Sequence, residues 1–489
     1  MADQPPESLD PTDWAALRAL AHRAVDDGLS YLEHVRERPV WQATPDDVIA
    51  RFHAPLPRAP EGAEQAYRDF TELVLPYPMG NIHPRFWAWY MGNGTPFGAV
   101  ADFLAAIMNP NMGGGNHVAN HVESQVVDWC KDIVGLPRES GGLLVSGGSM
   151  ANFVGLSVAR NVMAAAFRVD VRTDGVQALP GRMTYYSSVE VHSCMQKALE
   201  QLGLGSRALR KVPVDAAYRV DVAALAKMIA ADRAAGLVPC CVVGNAGTIN
   251  TGAVDDLQAL AELCEREKLW FHVDGAIGAV VALSPAHRHL VAGMERADSV
   301  ALDLHKWLHI PFEAGCALIR DRAAHRATFA LMPEYLEHHT RGLAAGALWF
   351  SEYGLQLSRG FRALKVWLSF KEHGVDRYAR LIDRNIAQAA ELARLIETTP
   401  ELELMAPTCL NIVCFRYRDA SRTPEQLDAL NEELLIRLHE SGIVVPSYTK
   451  LDGRYCLRAA IANHRTQPED LALLVETVVR LGRELSHPR

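Results

Sequence analysis

Helical and strand-like patterns alternate along residues 118–325, and this alternation limits the possible folds more than any other feature of the chain. Short apolar runs that are typical of buried strands lie at 183–187, 239–243, 269–273, 300–303 and 316–319. Helical patterns precede and separate them at 118–134, 149–166, 193–202, 222–235 and 257–267. This order predicts an α/β fold with a mainly parallel sheet flanked by helices. Because ligands of such sheets bind at the carboxyl ends of the strands, we expect functional residues there.

The two ends of the chain differ from this central region. Residues 1–95 combine helical patterns with a proline-rich stretch and carry too little apolar surface for a core of their own. We therefore expect them to form an N-terminal helical segment that packs on another unit, such as a second subunit. Residues 96–375 would form a large domain, and the helix and strand patterns of 376–489 predict a small C-terminal α+β domain.

The bulk composition excludes several classes of protein. The 489 residues carry a formal net charge of -9, so neither nucleic acid nor an anionic membrane surface is an expected partner. No apolar run approaches the ~18 residues of a membrane span, and the polar start is unlike a secretion signal. The nine cysteines are scattered without a CxxC pair, which favours reduced thiols in the cytoplasm.

A lysine follows one of the buried strands directly. The apolar run at 300–302 ends in Asp303, His305, Lys306 and Trp307. A lysine in partly buried surroundings is suited to form a Schiff base with a carbonyl compound or with pyridoxal phosphate. Taken alone, the same pattern fits a surface lysine at the end of a strand equally well.

Residues 141–152 run from a strand-like stretch through a glycine pair into the start of a helix. Gly147 and Gly148 leave the backbone N–H groups open, and Ser149 is a good N-cap residue. A helix N-terminus with free amides and a hydroxyl is a ready site for phosphate. The motif is neither a Walker loop nor GxGxxG, so it does not indicate a nucleotide, and a structural turn fits it as well.

Two other strand ends carry residues with useful chemistry. Asp274 ends an apolar run, and a buried carboxylate needs a partner, such as a protonated pyridine nitrogen or the N–H groups of the next turn. His192 lies just past the strand at 183–187, where ring stacking, proton transfer and a structural role all remain open.

Three other stretches are less specific. Trp89 and Tyr90 fit either core packing or the wall of a pocket for an aromatic or bulky apolar side chain. His117 and His121 are spaced for one helix face, but no third ligand accompanies them, so no metal site is expected. The stretch 335–358 is rich in Ala and Gly without a firm period, and it predicts a mobile lid or loop. A long helix is predicted to open directly after it, at Arg359.

The phosphate-type turn, the histidine, the aspartate and the lysine occur in that order, each at a predicted strand end. This arrangement resembles the pyridoxal-phosphate-dependent group II amino acid decarboxylases, which include the aromatic-L-amino-acid, histidine, tyrosine and glutamate decarboxylases. The resemblance extends from about residue 80 to residue 470. The motifs that carry it lie at 146–149, 192, 272–276, 305–307, 359–367, 457–461 and 463–466.

The resemblance implies a fold-type-I pyridoxal-phosphate enzyme with a seven-stranded sheet, acting as a homodimer with its active site at the subunit interface. It implies that Lys306 holds the cofactor as a Schiff base, that Asp274 keeps the ring nitrogen protonated and that His192 stacks on the ring. Arg458 would support the site or the substrate carboxylate. The implied catalytic residues are Lys306, His192 and Asp274, and the implied cofactor contacts are Gly148, Ser149, His192, Thr248, Asp274, Ala276, Asp303, His305 and Lys306.

The resemblance also implies decarboxylation of an L-amino acid to the amine and carbon dioxide, through an external aldimine and a quinonoid. Trp89, Tyr90, Trp349 and Phe350 would form the substrate pocket and favour an aromatic or bulky apolar side chain. Trp349 or Phe350 stands where many members carry a loop tyrosine that protonates the substrate carbon, and members with phenylalanine there can release an aldehyde instead. Aldehyde formation is one alternative; decarboxylation of an acidic amino acid, with Arg85 as partner for its side chain, is another.

Overall fold

A computed structural model describes residues 8–331 and 339–487. The loop predicted at 335–358 therefore lies partly outside the described residues. The α-helices are α1 (Trp14–Glu33), α2 (Asp46–Arg51), α3 (Ala63–Asp69), α4 (Pro96–Met108), α5 (Val118–Val134), α6 (Gly148–Ala165), α7 (Cys194–Gln201), α8 (Val222–Ala234), α9 (Leu257–Glu267), α10 (Arg322–Phe329), α11 (Arg362–His373), α12 (Val375–Glu397), α13 (Pro424–Glu440) and α14 (Pro468–Ser486). The strands are β1 (Phe86–Trp87), β2 (Gly141–Val145), β3 (Met183–Ser188), β4 (Leu209–Val212), β5 (Val238–Asn245), β6 (Trp270–Asp274), β7 (Ser299–Asp303), β8 (Gly315–Ile319), β9 (Leu402–Leu404), β10 (Ile412–Tyr417), β11 (Val445–Leu451) and β12 (Arg454–Ala460).

The larger sheet has seven strands in the order β2-β8-β7-β6-β5-β3-β4. The strands from β7 to β4 in this order pair in parallel, whereas β8 runs antiparallel to both of its neighbours. The connection from β7 to β8 contains no helix, so β8 returns beside β7 in the opposite direction. The prediction of a mainly parallel, seven-stranded α/β sheet is confirmed.

Burial explains why these strands appear in the sequence as continuous apolar runs. Every residue of β2, β3, β5, β6, β7 and β8 is buried, which is the expected state of a sheet that helices cover on both faces. Helix α6 packs across β6, β7 and β8. Its first turn thereby comes to lie beside the residues that follow β7.

A second sheet has five strands in the order β1-β11-β12-β10-β9, and helices α13 and α14 pack against it. Strand β1 comes from the N-terminal segment and pairs in parallel with β11, with Phe86 opposite Val445. The N-terminal segment therefore completes the C-terminal sheet. The sequence did not indicate β1, because a strand of two residues is too short to show a period.

Helix α11 begins at Arg362, later than the helix predicted to open at 359. Arg359 precedes it and is buried, because its guanidinium bonds the Glu123 carboxylate and the carbonyl oxygens of Met112 and Leu144. Among the described helices, none combines the length and the apolar character needed to cross a membrane.

Candidate active site

The motifs predicted at strand ends converge on one cavity of about 420 Å³. Lys306 follows β7, Asp274 ends β6, His192 follows β3 and Ser149 lies in the first turn of α6. The described residues that line the cavity are Ser146, Gly147, Gly148, Ser149, Met150, Asn152, His192, Cys194, Asn245, Gly247, Thr248, Ile249, Asp274, Ala276, Ile277, Asp303, His305, Lys306, Phe312 and Glu313. The cavity lies where a parallel sheet binds its ligands, at the carboxyl ends of the strands.

Lys306 is paired with a buried carboxylate. Its Nζ lies 3.0 Å from Asp303 Oδ2, and the Asp303 side chain is only 3% exposed. The other oxygen, Asp303 Oδ1, has no hydrogen-bond partner among the described residues, and His305 Nε2 lies 3.8 Å from it. One oxygen of Asp303 therefore holds the lysine, whereas the other retains its capacity to bond a ligand.

His305 presents a single N–H donor to the cavity. Its Nδ1 accepts a hydrogen bond of 3.1 Å from the Ala314 backbone N–H, so the proton of the neutral ring is on Nε2. Burial lowers the pKa of His305, although the nearby Asp303 acts in the opposite direction. The ring is therefore a neutral donor at neutral pH.

The glycine pair allows the helix N-terminus to approach these side chains. A Cβ on Gly148 would lie 2.8 Å from Asp303 Oδ2, and a Cβ on Gly147 would lie 3.1 Å from His305 Cε1. Because α6 begins at Gly148, the backbone N–H groups of Gly148 and Ser149 have no acceptor within the helix, whereas those of Met150 and Ala151 donate to the Gly147 carbonyl oxygen at 3.0 Å. The free amides are therefore those of Gly148 and Ser149. These amides, the Ser149 hydroxyl and the His305 Nε2–H form a donor set suited to phosphate.

Asp274 and His192 lie in the same cavity. Asp274 is buried, and its Oδ1 accepts a hydrogen bond of 3.2 Å from the Ala276 N–H. His192 Nδ1 accepts from the Cys194 N–H at 3.2 Å, which leaves the ring proton on Nε2. Desolvation lowers the pKa of His192, and the negative charge of Asp274 opposes this shift. The two groups are thus close enough to interact electrostatically.

Thr248 and Ala276 also line the cavity. The Thr248 hydroxyl lies 3.2 Å from that of Thr251. Asn245 is a lining residue that the sequence reasoning missed. It ends β5 directly opposite Asp274 in the parallel register, so the rule that ligands bind at strand ends was the signal that could have found it.

The aromatic residues predicted for the substrate pocket do not line this cavity in the described residues of one chain. Tyr90 is buried in the core, where its ring meets the edge of Trp307 and its hydroxyl accepts a hydrogen bond of 2.8 Å from Asn411. Trp89 is 48% exposed outside the cavity. Within the described chain, Tyr90 therefore packs in the core, whereas Trp89 is exposed.

Trp349 and Phe350 pack on another part of the chain. A Cβ on Gly114 would lie 2.2 Å from the Trp349 ring, so any larger residue at this position would clash with the indole. The Arg359 guanidinium lies 5.3 Å from the centre of the Phe350 ring. Both aromatic rings are buried. They lie between the glycine-rich stretch 113–115 and the segment that leads into α11.

The two arginines considered at sequence level also lie outside the cavity lining. Arg458 is buried and donates hydrogen bonds to the carbonyl oxygens of Asn250 and Trp89, at 3.0 and 2.6 Å. It therefore ties the C-terminal sheet to the loop that carries Thr248. Arg85 donates to the Arg36 carbonyl oxygen.

The described residues contain no group of three or more His, Cys, Asp or Glu side chains placed to hold a metal ion.

Comparison with known proteins identifies the family. The chain matches the pyridoxal-dependent decarboxylase conserved domain over residues 45–418. It is 34% identical to an aromatic-L-amino-acid decarboxylase of Bacillus atrophaeus over 96% of each chain. The chain belongs to the pyridoxal-dependent decarboxylase family. It is accordingly a pyridoxal-phosphate-dependent amino acid decarboxylase.

Other relatives share this architecture. A phenylacetaldehyde synthase of Arabidopsis thaliana is 28% identical over 94% of each chain. The structure of Oryza sativa TDC with PLP and tryptamine superimposes with a TM-score of 0.90 at 26% identity, covering 98% of this chain and all of that one. The fold-type-I architecture expected from the sequence is therefore confirmed.

The residues of the cavity fit pyridoxal phosphate. The close-packed glycine pair leaves amides for the phosphate, the Lys306 amine is available for the aldehyde, and Asp274 is a buried carboxylate suited to a protonated ring nitrogen. The unpartnered Asp303 oxygen further indicates that the polar groups of the cavity are completed by a ligand.

Proposed function

We propose that this decarboxylase converts an aromatic L-amino acid to the corresponding amine and carbon dioxide. The observation that carries the proposal is that Lys306, Asp274 and His192 line one cavity beside a helix N-terminus suited to phosphate. The chain also aligns over nearly its whole length with a relative named for decarboxylation of aromatic L-amino acids.

Each lining residue has a separate part in this proposal. Lys306 would hold the aldehyde carbon of the cofactor, and the free N–H groups at the start of α6 would hold its phosphate together with the Ser149 hydroxyl and the His305 Nε2–H. Asp274 pairs with the ring nitrogen, where a buried negative charge favours the protonated state. When bound, the protonated ring supplies an electron sink for the bond to the departing carboxylate.

The remaining contacts orient the reacting groups. In this proposal His192 and Ala276 fix the plane of the ring, Thr248 lies near its substituents, and Asp303 directs the Lys306 nitrogen from 3.0 Å. These residues would accelerate the reaction by orienting the substrate carboxylate relative to the bound cofactor and by excluding water.

The charges of the cavity favour an uncharged substrate side chain over an acidic one. Among the described lining residues Lys306 is the only Lys or Arg, and the cofactor engages it. Asp274, Asp303 and Glu313 contribute carboxylates to the same cavity. An acidic side chain would add like charge without a cation of its own. Arg85, the partner suggested by the sequence, does not line the cavity.

A panel of L-amino acids tests the proposal. Purified protein with pyridoxal phosphate is incubated with phenylalanine, tyrosine, tryptophan, glutamate and lysine, and carbon dioxide and amine are quantified. We expect equal amounts of both products from at least one aromatic substrate, with kcat/KM at least about tenfold above that for glutamate, the ratio worth about 1.4 kcal/mol. Absence of carbon dioxide from all three aromatic substrates would refute the assignment.

Aldehyde formation is a second candidate, favoured by the residues of the loop. Trp349 and Phe350 carry no hydroxyl, and the nearby Tyr353 hydroxyl accepts a hydrogen bond of 3.1 Å from Arg322. In that reaction the amino acid, dioxygen and water give aldehyde, carbon dioxide, ammonia and hydrogen peroxide. An oxygen electrode and a peroxide assay in the same panel distinguish the two: the decarboxylase consumes no oxygen, whereas the synthase consumes one equivalent per carbon dioxide.

We infer that two copies of the chain form a homodimer around the cavities. Helix α1 has no buried residue, although it carries Trp14 and Leu29, and α4 exposes Phe103 and Ile107. Exposed apolar groups on helix faces are typical of an interface. Light scattering tests this: Ile107→Glu should yield a monomer, whereas Ile436→Glu, at an isolated exposed position on α13, should leave the dimer intact. A monomeric unmodified protein would contradict the inference.

We also propose a cytoplasmic location and the division into 1–95, 96–375 and 376–489. All nine cysteines are free and all but Cys409 are buried, as expected of a reducing compartment.

The division rests on the two sheets, which have no strand in common. The segment 376–489 begins within the first turn of α12. Cell fractionation and limited proteolysis test these two points; cleavage sites confined to the interior of 96–375 would contradict the division.

A further inference from the structure

Asp303 borders the turn that is suited to phosphate. The residue is 4% exposed, and its Oδ1 has no hydrogen-bond partner among the described residues. A Cβ placed on Gly147 would lie 3.5 Å from Oδ1, and one on Gly148 would lie 2.8 Å from Oδ2. A buried carboxylate therefore lies directly against the backbone whose amides would bind the phosphate of the cofactor.

The other charged groups around Asp303 offer little compensation. Lys306 is 3.0 Å away, but its nitrogen is the atom that joins the cofactor. His305 and His192 are weak sources of positive charge, because desolvation lowers the pKa of each. Lys365 acts on His305 from further away and is engaged by Asp102, at 3.1 Å.

The remaining titratable side chains of the cavity are two carboxyls and the Cys194 thiol, whose pKa burial raises to about 12. Asp274 and Glu313 are both lining residues, and Glu313 pairs at its exposed end with Arg362 at 3.4 Å. A phosphate monoester carries a charge of about -1.5 to -2 near neutral pH. With Asp303 ionised, the phosphate would face a buried negative charge without a dedicated cation, which disfavours the charged state of one partner.

We propose that Asp303 and the phosphate of pyridoxal phosphate share one retained proton, so that Asp303 donates an O–H hydrogen bond to a phosphate oxygen. The shared proton removes the repulsion and gives Oδ1 the partner that it lacks within the chain. Because Asp303 forms an ion pair with Lys306 at 3.0 Å before the cofactor binds, each cofactor bound takes up a proton from solvent at this position. The inference deepens the proposed function and rests on its assignment of the phosphate turn and Lys306.

Proton uptake on cofactor binding is the direct test. The heat of binding pyridoxal phosphate to the cofactor-stripped protein is measured at pH 7.5 in buffers of different ionisation enthalpy, which yields the number of protons taken up. The variants are Asp303→Asn, which keeps the shape and supplies an N–H donor, and Asp303→Ser, which is smaller and also neutral. Glu313→Gln is the matched control, because it removes a carboxylate of the same cavity whose side chain is 56% exposed and paired with Arg362.

The unmodified protein and Glu313→Gln should take up about one proton more than Asp303→Asn or Asp303→Ser. The cofactor dissociation constant of the unmodified protein, divided by that of Asp303→Asn, should rise by up to about tenfold per pH unit between pH 7 and 9, as one linked proton requires. Equal proton uptake in all four proteins, or a ratio independent of pH, would overturn the proposal.

A separate measurement tests the site assignment itself. Borohydride reduction of the cofactor-bound protein followed by peptide mass analysis should place the label on Lys306. A label on another lysine would refute the site assignment, and the Asp303 proposal with it. A label on Lys306 together with equal proton uptake would refute the Asp303 proposal alone. Circular dichroism confirms that each variant is folded before it is compared.

Discussion

Two polar clusters lie side by side on the central strands, and they differ in how completely their hydrogen bonds are satisfied. The first is the cavity cluster of Lys306, Asp303 and His305, in which Asp303 Oδ1 has no partner among the described residues. The second, the His272 network, consists of His272, Asn152, Ser299 and Trp270, and all its members are bonded to one another.

The His272 network has one consistent direction of donation. Trp270 Nε1–H donates to Ser299 Oγ at 2.8 Å, and the Ser299 hydroxyl donates to His272 Nδ1 at 2.7 Å. His272 Nε2–H then donates to Asn152 Oδ1 at 2.7 Å. Asn152 Nδ2 in turn lies 3.4 Å from Cys194 Sγ, next to the turn of His192. A complete network of this kind positions neighbouring elements, whereas the incomplete cavity cluster is equipped to bind a ligand.

The largest expected effect is the loss of Lys306 from the incomplete cluster. Lys306→Ala removes the amine that binds the cofactor, and it leaves Asp303 without the partner at 3.0 Å. We expect decarboxylation to fall by at least about 10³-fold, as for other groups that act as a unit with their neighbours. Carbon dioxide release and the visible absorbance of the bound cofactor measure this effect. Activity within about tenfold of the unmodified protein would contradict the assignment.

Local sequence patterns were sufficient to predict that certain residues at strand ends come together around one cavity. Asp274, His192 and Lys306 each follow a buried apolar run, and the rule for parallel sheets brings such positions together. The same reasoning could not assign Tyr90, because its hydroxyl is bonded by Asn411, which is distant in the sequence. Aromatic residues near a predicted pocket do not indicate whether they face it or the core.

Partners that are distant in the sequence also explain why the burial of Arg359 and the hydrogen bonds of His272 were not predicted. Arg359 appeared to open a helix, yet it is buried against Glu123, and no local pattern links these two residues. His272 appeared only as a neighbour of Asp274 within a motif, whereas its function in the fold depends on Asn152 and Ser299. The folded chain is required to identify such pairs.

The buried pair of Arg359 and Glu123 lies outside the cavity lining, so its disruption should affect stability first. Both Nη atoms of Arg359 are hydrogen-bonded, whereas its Nε has no partner among the described residues. The two side chains are 1% and 0% exposed, with Nη2 and Oε1 2.5 Å apart. Arg359→Met would leave the Glu123 charge buried and unpaired, at an expected cost of about 3–5 kcal/mol of unfolding free energy. Urea denaturation measures the loss. The double variant with Glu123→Leu should be more stable than Arg359→Met; if it is less stable, the explanation by an unpaired charge is wrong.

A smaller effect is expected from one bond of the His272 network. Asn152→Leu removes the acceptor of His272 Nε2–H, which is fully buried, and leaves this donor unsatisfied. The expected cost is about 1–3 kcal/mol of unfolding free energy. Because Asn152 also lines the cavity, cofactor affinity is measured separately. Replacement of His272 by Phe together with Asn152→Leu removes donor and acceptor alike, and it should cost less than Asn152→Leu plus His272→Phe measured singly.

The smallest expected effect is the contribution of a buried histidine to the pH dependence of the unfolding free energy. Burial lowers the pKa of His325 to about 3, and its Nε2–H donates to the Tyr353 carbonyl oxygen at 2.8 Å. Between pH 6.5 and about 3 the unfolded chain therefore binds a proton at this residue that the folded chain does not, so stability falls as the pH decreases through this range. Each such histidine contributes a slope of about 1.4 kcal/mol per pH unit.

His325→Gln should reduce the measured slope of unfolding free energy between pH 6 and 5 by about that amount, whereas His289→Gln, at an exposed position, should leave the slope unchanged. Equal slopes in the two variants would show that His325 does not remain neutral in the folded chain.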